Sequence, residues 1–355
     1  MTDISTDFLP IRIGSDAVLP EGFLLGHAQD EVAGTGCTAI ICAAGAIGGV
    51  SVRGAAPATR ETDLLDPRNS VERANAVVLS GGSAFGLDSS GGVMRWLAER
   101  GIGFNAGPAV VPIVCSACIF DLGVGGDAIR PYAELGYAAC EAADTTADGA
   151  AGTAAGNIGA GTGASVGKLL GETCAMKGGF GIASAQLEEL VVTAVVAVNA
   201  LGNVYDRRTG QALAGTRDPQ NPQEILNPYQ AFSLAMASAA AADGDEGHSP
   251  GVGPGAGTNT TIGCVLTNGA LTKAQAARVA DRAHDGLARA IDPIHTSFDG
   301  DALFALSTAE LPGVVPDLLG ALATSVMEAA VVCAIQSAQG AYGLPAASDL
   351  NRAQA

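Results

Sequence analysis

A threonine that starts a strand directly after a flexible segment can become a nucleophile if the chain is cut in front of it. The run Gly257-Thr258-Asn259-Thr260-Thr261-Ile262-Gly263-Cys264-Val265-Leu266 has this form, passing within two residues from a polar, glycine-rich stretch to an apolar one. Breaking the Asn259–Thr260 bond would give Thr260 both a hydroxyl and a free α-amine. The hydroxyl alone is a poor nucleophile, but an α-amine with a solution pKa of about 8 can accept its proton. An ordinary solvated linker is the bland reading of the same stretch.

Other reactive types lie far away in sequence. Lys168 follows a glycine-rich loop at 156–167, which fails the P-loop template twice: Thr162 stands where the template needs glycine, and Leu169 where it needs Ser or Thr. Gly159-x-Gly161-x-x-Ala164 fits a loose dinucleotide fingerprint, but no strand immediately precedes it. A lysine near a reacting hydroxyl could stabilise negative charge or keep a nearby amine neutral, although spacing alone favours a solvated surface lysine. Asp299 and Asp301 are one residue apart, so an extended backbone would turn both carboxylates to one face, where they could orient a hydroxyl and an amine. Spacing alone favours an Asp-Gly turn with solvated acids. His284, beside an apolar helix face, and His295, in a turn containing Pro293, raise the question of a Ser-His-Asp triad. Gly82-Ser83-Ala84 lacks the second glycine of a nucleophile elbow, so both histidines are expected to be structural.

Positioning these groups requires a large layered core. Apolar runs at 37–43, 76–79, 110–114 and 191–198 read as strands, the last too uniformly apolar for a one-sided sheet. Helices are expected at 89–100, at 316–338 and after the capping-box pattern Thr272-Lys273-Ala274-Gln275. The segment 215–259, with Asp218-Pro219-Gln220-Asn221-Pro222, an alanine-rich piece at 235–242 and glycines at 251–257, reads as a long loop.

Composition narrows the function. The chain has 355 residues, 48% of them hydrophobic, which suits a buried core in one or two domains. A net charge of −18 argues against nucleic acid and anionic lipid as partners. Neither a basic-then-apolar leader nor an apolar run of bilayer length is expected, and most of the eight cysteines sit in apolar contexts, which together point to the cytoplasm. Cys115-Ser116-Ala117-Cys118 has CxxC spacing without a second pair or a nearby histidine, so a buried structural pair is expected, with no metal and no cofactor.

Ten ordered segments then carry a resemblance over nearly the whole chain. They are Gly26-His27, Arg60-Glu61-Thr62-Asp63-Leu64-Leu65-Asp66-Pro67, Ser80-Gly81-Gly82-Ser83-Ala84-Phe85-Gly86-Leu87, Val111-Pro112-Ile113-Val114, Ile119-Phe120-Asp121-Leu122, Gly159-Ala160-Gly161-Thr162-Gly163-Ala164, Met176-Lys177-Gly178-Gly179, Val198-Asn199, Asn259-Thr260-Thr261-Ile262, and His295-Thr296 with Asp299-Gly300-Asp301. The chain resembles the P1 peptidases, self-cleaving N-terminal-nucleophile amide hydrolases that include D-aminopeptidases, beta-aminopeptidases and nylon oligomer hydrolases.

The resemblance implies an α/β fold of the N-terminal-nucleophile-hydrolase type, a four-layer alpha-beta-beta-alpha sandwich in a single domain. It implies cleavage into 1–259, ending in a mobile tail at about 215–259, and 260–355. Thr260 matches the nucleophile and Asn199 the residue whose amide helps bind the oxyanion. Lys168, Asp299 and Asp301 match site residues of the nylon oligomer hydrolases, and Phe120, Ser83 and Thr261 are substrate-pocket candidates. Phe120 departs from the tyrosine of some relatives, removing a phenolic donor unless another hydroxyl replaces it. The expected substrate is a small peptide or an oligoamide such as a 6-aminohexanoate oligomer, and the expected assembly a homo-oligomer, a tetramer of alpha-beta heterodimers. An acyltransferase of the ornithine acetyltransferase type and an uncut, non-catalytic protein are the alternatives.

Overall fold

Strands that are apolar at every position need cover on both faces. The computed structural model, which describes residues 10–126, 132–145, 152–242 and 258–350, supplies that cover. Ten strands form one mixed sheet: β1 (Ile11–Ile13), β2 (Leu24–Asp30), β3 (Thr35–Val52), β4 (Thr59–Arg60), β5 (Arg73–Ser80), β6 (Val114–Cys118), β7 (Gly179–Leu187), β8 (Leu190–Asn199), β9 (Thr260–Gly269) and β10 (Ala302–Leu311). Their order is β1-β7-β8-β9-β10-β3-β5-β6-β4, with β2 also on β3. The β9–β10 and β5–β6 pairs are parallel. Among the described residues, five helices accompany them: α1 (Ser89–Glu99), α2 (Tyr132–Thr145), α3 (Pro228–Ala242), α4 (Lys273–Ala290) and α5 (Pro316–Ser337).

Alternation along β8 shows how the cover works. Val192, Ala194, Val196 and Val198 join a cluster with Val279 and Leu287 of α4 and Val326 and Ala330 of α5. Val195 and Ala197 face the other way, into a cluster shared with Ile40, Val77 and Cys115 from β3, β5 and β6. A third cluster seats Trp96 and Leu97 of α1 and Ala139 of α2 on Cys37, Ala39 and Ile41 of β3. Each buried Val or Leu contributes about 1.5–3 kcal/mol, and a one-residue slip would exchange the two faces of a strand, so packing pins the register that places the residues at strand ends.

The expected helix after Thr272 is present, with the Thr272 hydroxyl accepting from the Gln275 N–H. Three expectations need correction. The run 110–114 is not one strand: Val110–Val111 pairs with Phe104–Asn105, and β6 starts only at Val114, because Pro112 has no N–H for the ladder. The segment 215–259 is not wholly irregular, since α3 occupies its middle and Ala231 packs with Leu169, Leu201 and Leu226. Its glycines at 251–257 lie outside the described residues. Finally, α5 is long and apolar enough to cross a bilayer by length and composition, but 67% of its most apolar window is buried inside the protein.

Candidate active site

Thr260 opens β9, and the antiparallel register pairs it with Asn199, the last residue of β8. Both side chains are set by strands buried on two faces, so neither depends on a flexible loop. Asn199 is fully buried and Thr260 is 3% exposed. The Asn199 Oδ1 accepts from the Ser165 N–H at 2.9 Å and from Lys168 Nζ at 3.0 Å, which fixes the amide with Nδ2 as the outward donor. That Nδ2 donates to the Phe120 carbonyl at 3.0 Å and more weakly to the Thr258 carbonyl at 3.5 Å.

Lys168 is not the solvated lysine its spacing suggests. The Gly167 and Lys168 N–H groups donate to the Gly202 and Leu201 carbonyls, drawing the glycine-rich loop inward, and the lysine is 1% exposed. Its Nζ donates to the Asn199 carbonyl at 3.1 Å and the Thr258 carbonyl at 3.2 Å besides the Asn199 side chain. Burial lowers its pKa to about 8, with Glu172, Asp299 and Asp121 acting the other way.

Asp299 and Asp301 are not solvated either; both are fully buried. They immediately precede β10, which runs parallel to β9, and Asp299 forms a bridge with Asn259 that brings the pair beside the Asn259–Thr260 bond. Their environments differ. Asp301 Oδ1 accepts the Thr261 N–H at 2.6 Å, and its Oδ2 accepts the His295 backbone N–H at 3.2 Å and His295 Nδ1 at 2.8 Å. Asp299 Oδ2 accepts the Thr296 N–H and hydroxyl, both at 2.7 Å, while its Oδ1 has no partner among the described residues. Burial first, and the charge of Asp301 second, raise the Asp299 pKa to about 6.

Two residues, Gly300 and His295, make contacts that their types and spacing do not announce. The Gly300 N–H donates to the Asn259 carbonyl at 2.9 Å, and the Thr260 hydroxyl lies against that same oxygen. His295, expected to be structural, holds Asp301 through two donors. The Asp-Gly-Asp spacing signals a glycine amide between two acids, but no local pattern says which carbonyl it will meet.

A cavity of about 360 Å³ adjoins Thr260, walled by residues 56–59, Ser83, Ala84, Leu87, Cys118 and Phe120. Ser83 enters it from a left-handed turn, φ 53°, behind Gly82 at φ 90°, a conformation that costs a non-glycine residue about 1–2 kcal/mol. The Asp121 carboxylate accepts the Gly82 N–H at 2.7 Å and the Thr35 hydroxyl at 2.7 Å, holding this turn in place. Thr261 is fully buried and does not line the cavity. Cys115 and Cys118, three apart on a strand, point to opposite faces, and all eight cysteines are free and buried. Among the described residues, no group of three or more His, Cys, Asp or Glu side chains is placed to hold a metal ion.

Chemically, this arrangement joins a hydroxyl, the carbonyl next to it, a buried cation, an amide donor and a carboxyl raised towards neutrality. Comparison with known proteins bears on such a site. A model described as peptidase family S58 matches residues 6–346. A Mycobacterium bovis protein named uncharacterized aminopeptidase is 40% identical over 364 residues, covering 97% of each chain. The 6-aminohexanoate-oligomer endohydrolase of a Kocuria species is 30% identical over 346 residues, covering 92% of this chain and 88% of the relative. Among solved structures, the L-aminopeptidase D-Ala-esterase/amidase from Ochrobactrum anthropi, described as a variant of the Ntn hydrolase fold, superposes with a TM-score of 0.59 at 18% identity over 91% of this chain and 85% of its own.

Proposed function

Since this chain belongs to peptidase family S58, whose aminopeptidase and endohydrolase relatives mark it as a peptide or amide hydrolase, we propose that it activates itself by cutting the Asn259–Thr260 bond. The observation that carries this reading is the Thr260 hydroxyl against the Asn259 carbonyl, with the Gly300 N–H on the same oxygen. The Thr260 Oγ bonds to the Asn259 carbonyl carbon, the bond from that carbon to the Thr260 nitrogen breaks, and the hydroxyl proton passes through a base to the departing nitrogen. Asp299, with one free oxygen and a pKa of about 6, is the described group suited to relay that proton. Water then hydrolyses the ester, leaving the Asn259 carboxylate and an N-terminal Thr260.

The new α-amine next takes the hydroxyl proton when Thr260 attacks a substrate amide, forming an acyl-enzyme that water releases. Lys168, whose Nζ bonds the carbonyl of Asn199, the residue paired with Thr260, would help keep that amine neutral by charge repulsion. Asn199 Nδ2 receives the oxyanion in this reading. The cavity has no ionisable Asp, Glu, Lys, Arg or His among its lining residues, which favours small peptides or oligoamides with uncharged, compact units beside the cleaved bond.

Three apolar clusters, one under α4 and α5, one between strand sets and one under α1 and α2, support the four-layer arrangement in a single domain cut into 1–259 and 260–355. Free, buried thiols support a cytoplasmic setting. Exposed Tyr229, Phe232, Leu234 and Met236 on α3 support a homo-oligomer. Incubation with a 6-aminohexanoate oligomer and with small peptide amides should release free amine, and Thr260→Ala should release none. Amine release at the wild-type rate by Thr260→Ala would overturn the proposal.

A further inference from the structure

Resting on the self-cleavage reading, we infer that the site uses different donors for its two oxyanions: the Gly300 N–H alone serves the cut, and Asn199 with Lys168 enter only afterwards. In the uncut chain the carbonyl to be attacked, that of Asn259, receives the Gly300 N–H at 2.9 Å. The Asn199 Nδ2 and Lys168 Nζ reach the Thr258 carbonyl instead, one residue upstream, and Nδ2 is also engaged by the Phe120 carbonyl. The chain's own outgoing segment therefore takes one Lys168 donor and, more weakly, one Asn199 N–H with a carbonyl that does not react.

Position 300 is built for this role. An added Cβ there would stand 2.6 Å from the Ala56 carbonyl oxygen and 2.9 Å from the Thr260 Oγ, so only glycine lets its amide approach the bond and leaves the hydroxyl room to move. Flanking hydrogen bonds hold this backbone: the Ala56 N–H donates to the Asp299 carbonyl at 2.9 Å, and the Arg53 and Gly54 N–H groups to the Asp301 carbonyl at 3.0 and 3.1 Å. A backbone donor fixed on both sides costs no reorganisation when negative charge develops on its acceptor. Once the Asn259 carboxyl is free and the 1–259 terminus withdraws, Lys168 and Asn199 lose their Thr258 partner and become available to a substrate carbonyl.

Two variants test the division, with cutting followed on denaturing gels from a pulse-labelled translation product. Glycolic acid in place of Gly300 turns its N–H into an ester oxygen and should slow the cut by about 100-fold. Asn199→Asp keeps the oxygen that accepts from Ser165 and Lys168 but removes the amide donor; it should cut within a few-fold of the wild-type rate and then fail to turn over substrate. Cutting at the wild-type rate by the ester chain would overturn the division, whatever the folding of Asn199→Asp. So would a normally folded Asn199→Asp chain that stays uncut. A wild-type chain that never cuts would instead overturn the self-cleavage reading itself.

Discussion

Lys168 and Lys177 are alike in burial and in valence, and differ in what holds them. Both are at most 1% exposed, and each ammonium donates to three oxygens. Burial lowers both pKa values, to about 8 for Lys168 and about 7 for Lys177. Lys177 Nζ donates to the Gly161, Ala164 and Gly178 carbonyls, at 3.0, 2.8 and 3.1 Å, all in segments far in sequence from the Asn259–Thr260 bond. Lys168 spends one of its three bonds on Thr258, which the proposed cut would leave next to a new, untethered chain end. A buried, fully bonded lysine is thus not diagnostic of function; a partner that can leave is.

Substitution at the two positions should separate these roles. Lys168→Met should lower substrate turnover by roughly 100-fold, as expected for loss of one charged donor near an oxyanion, while both fragments still form. Unchanged kcat/KM in that variant would erase the distinction. Lys177→Met leaves three buried carbonyls without their donor and should cost roughly 3 kcal/mol in urea unfolding, with kcat/KM of the folded fraction within a few-fold of wild type. A large loss of turnover at full stability would show that Lys177 belongs with Lys168.

A smaller effect follows from acidity. If Asp299 relays the proton, it must be ionised, so the rate of cutting should rise as pH climbs through about 6 and level off above it. Loss of the Lys168 proton near pH 8 should leave cutting unchanged, because Lys168 does not touch the Asn259 carbonyl. The rate of fragment appearance against pH measures both arms. A flat profile through pH 6 would remove Asp299 from the relay.

Regular apolar periods are legible in the amino-acid sequence by themselves. α4 follows its capping box, and the 191–198 run lies inside a strand covered on both faces, because period and capping are local properties. The burial of Lys168 is not legible in this way: what draws it inward is a pair of backbone bonds to Leu201 and Gly202, more than thirty residues away. α3 is hidden for a related reason, since its flanking prolines and glycines give the whole segment the look of a loop. The roles of Gly300 and His295 depend on β9 and β10 lying parallel, a pairing that the sequence does not state. Family resemblance brings Thr260, Asn199, Lys168, Asp299 and Asp301 together as candidates; the structure adds the partners that each one engages in the uncut chain.

N-terminal sequencing of the purified protein after denaturing separation tests the central claim most directly. The account predicts a second, smaller fragment that begins Thr260-Thr261-Ile262-Gly263-Cys264, absent from Thr260→Ala. One uncut chain that nevertheless hydrolyses amides, or a fragment that starts at any other residue, would contradict it.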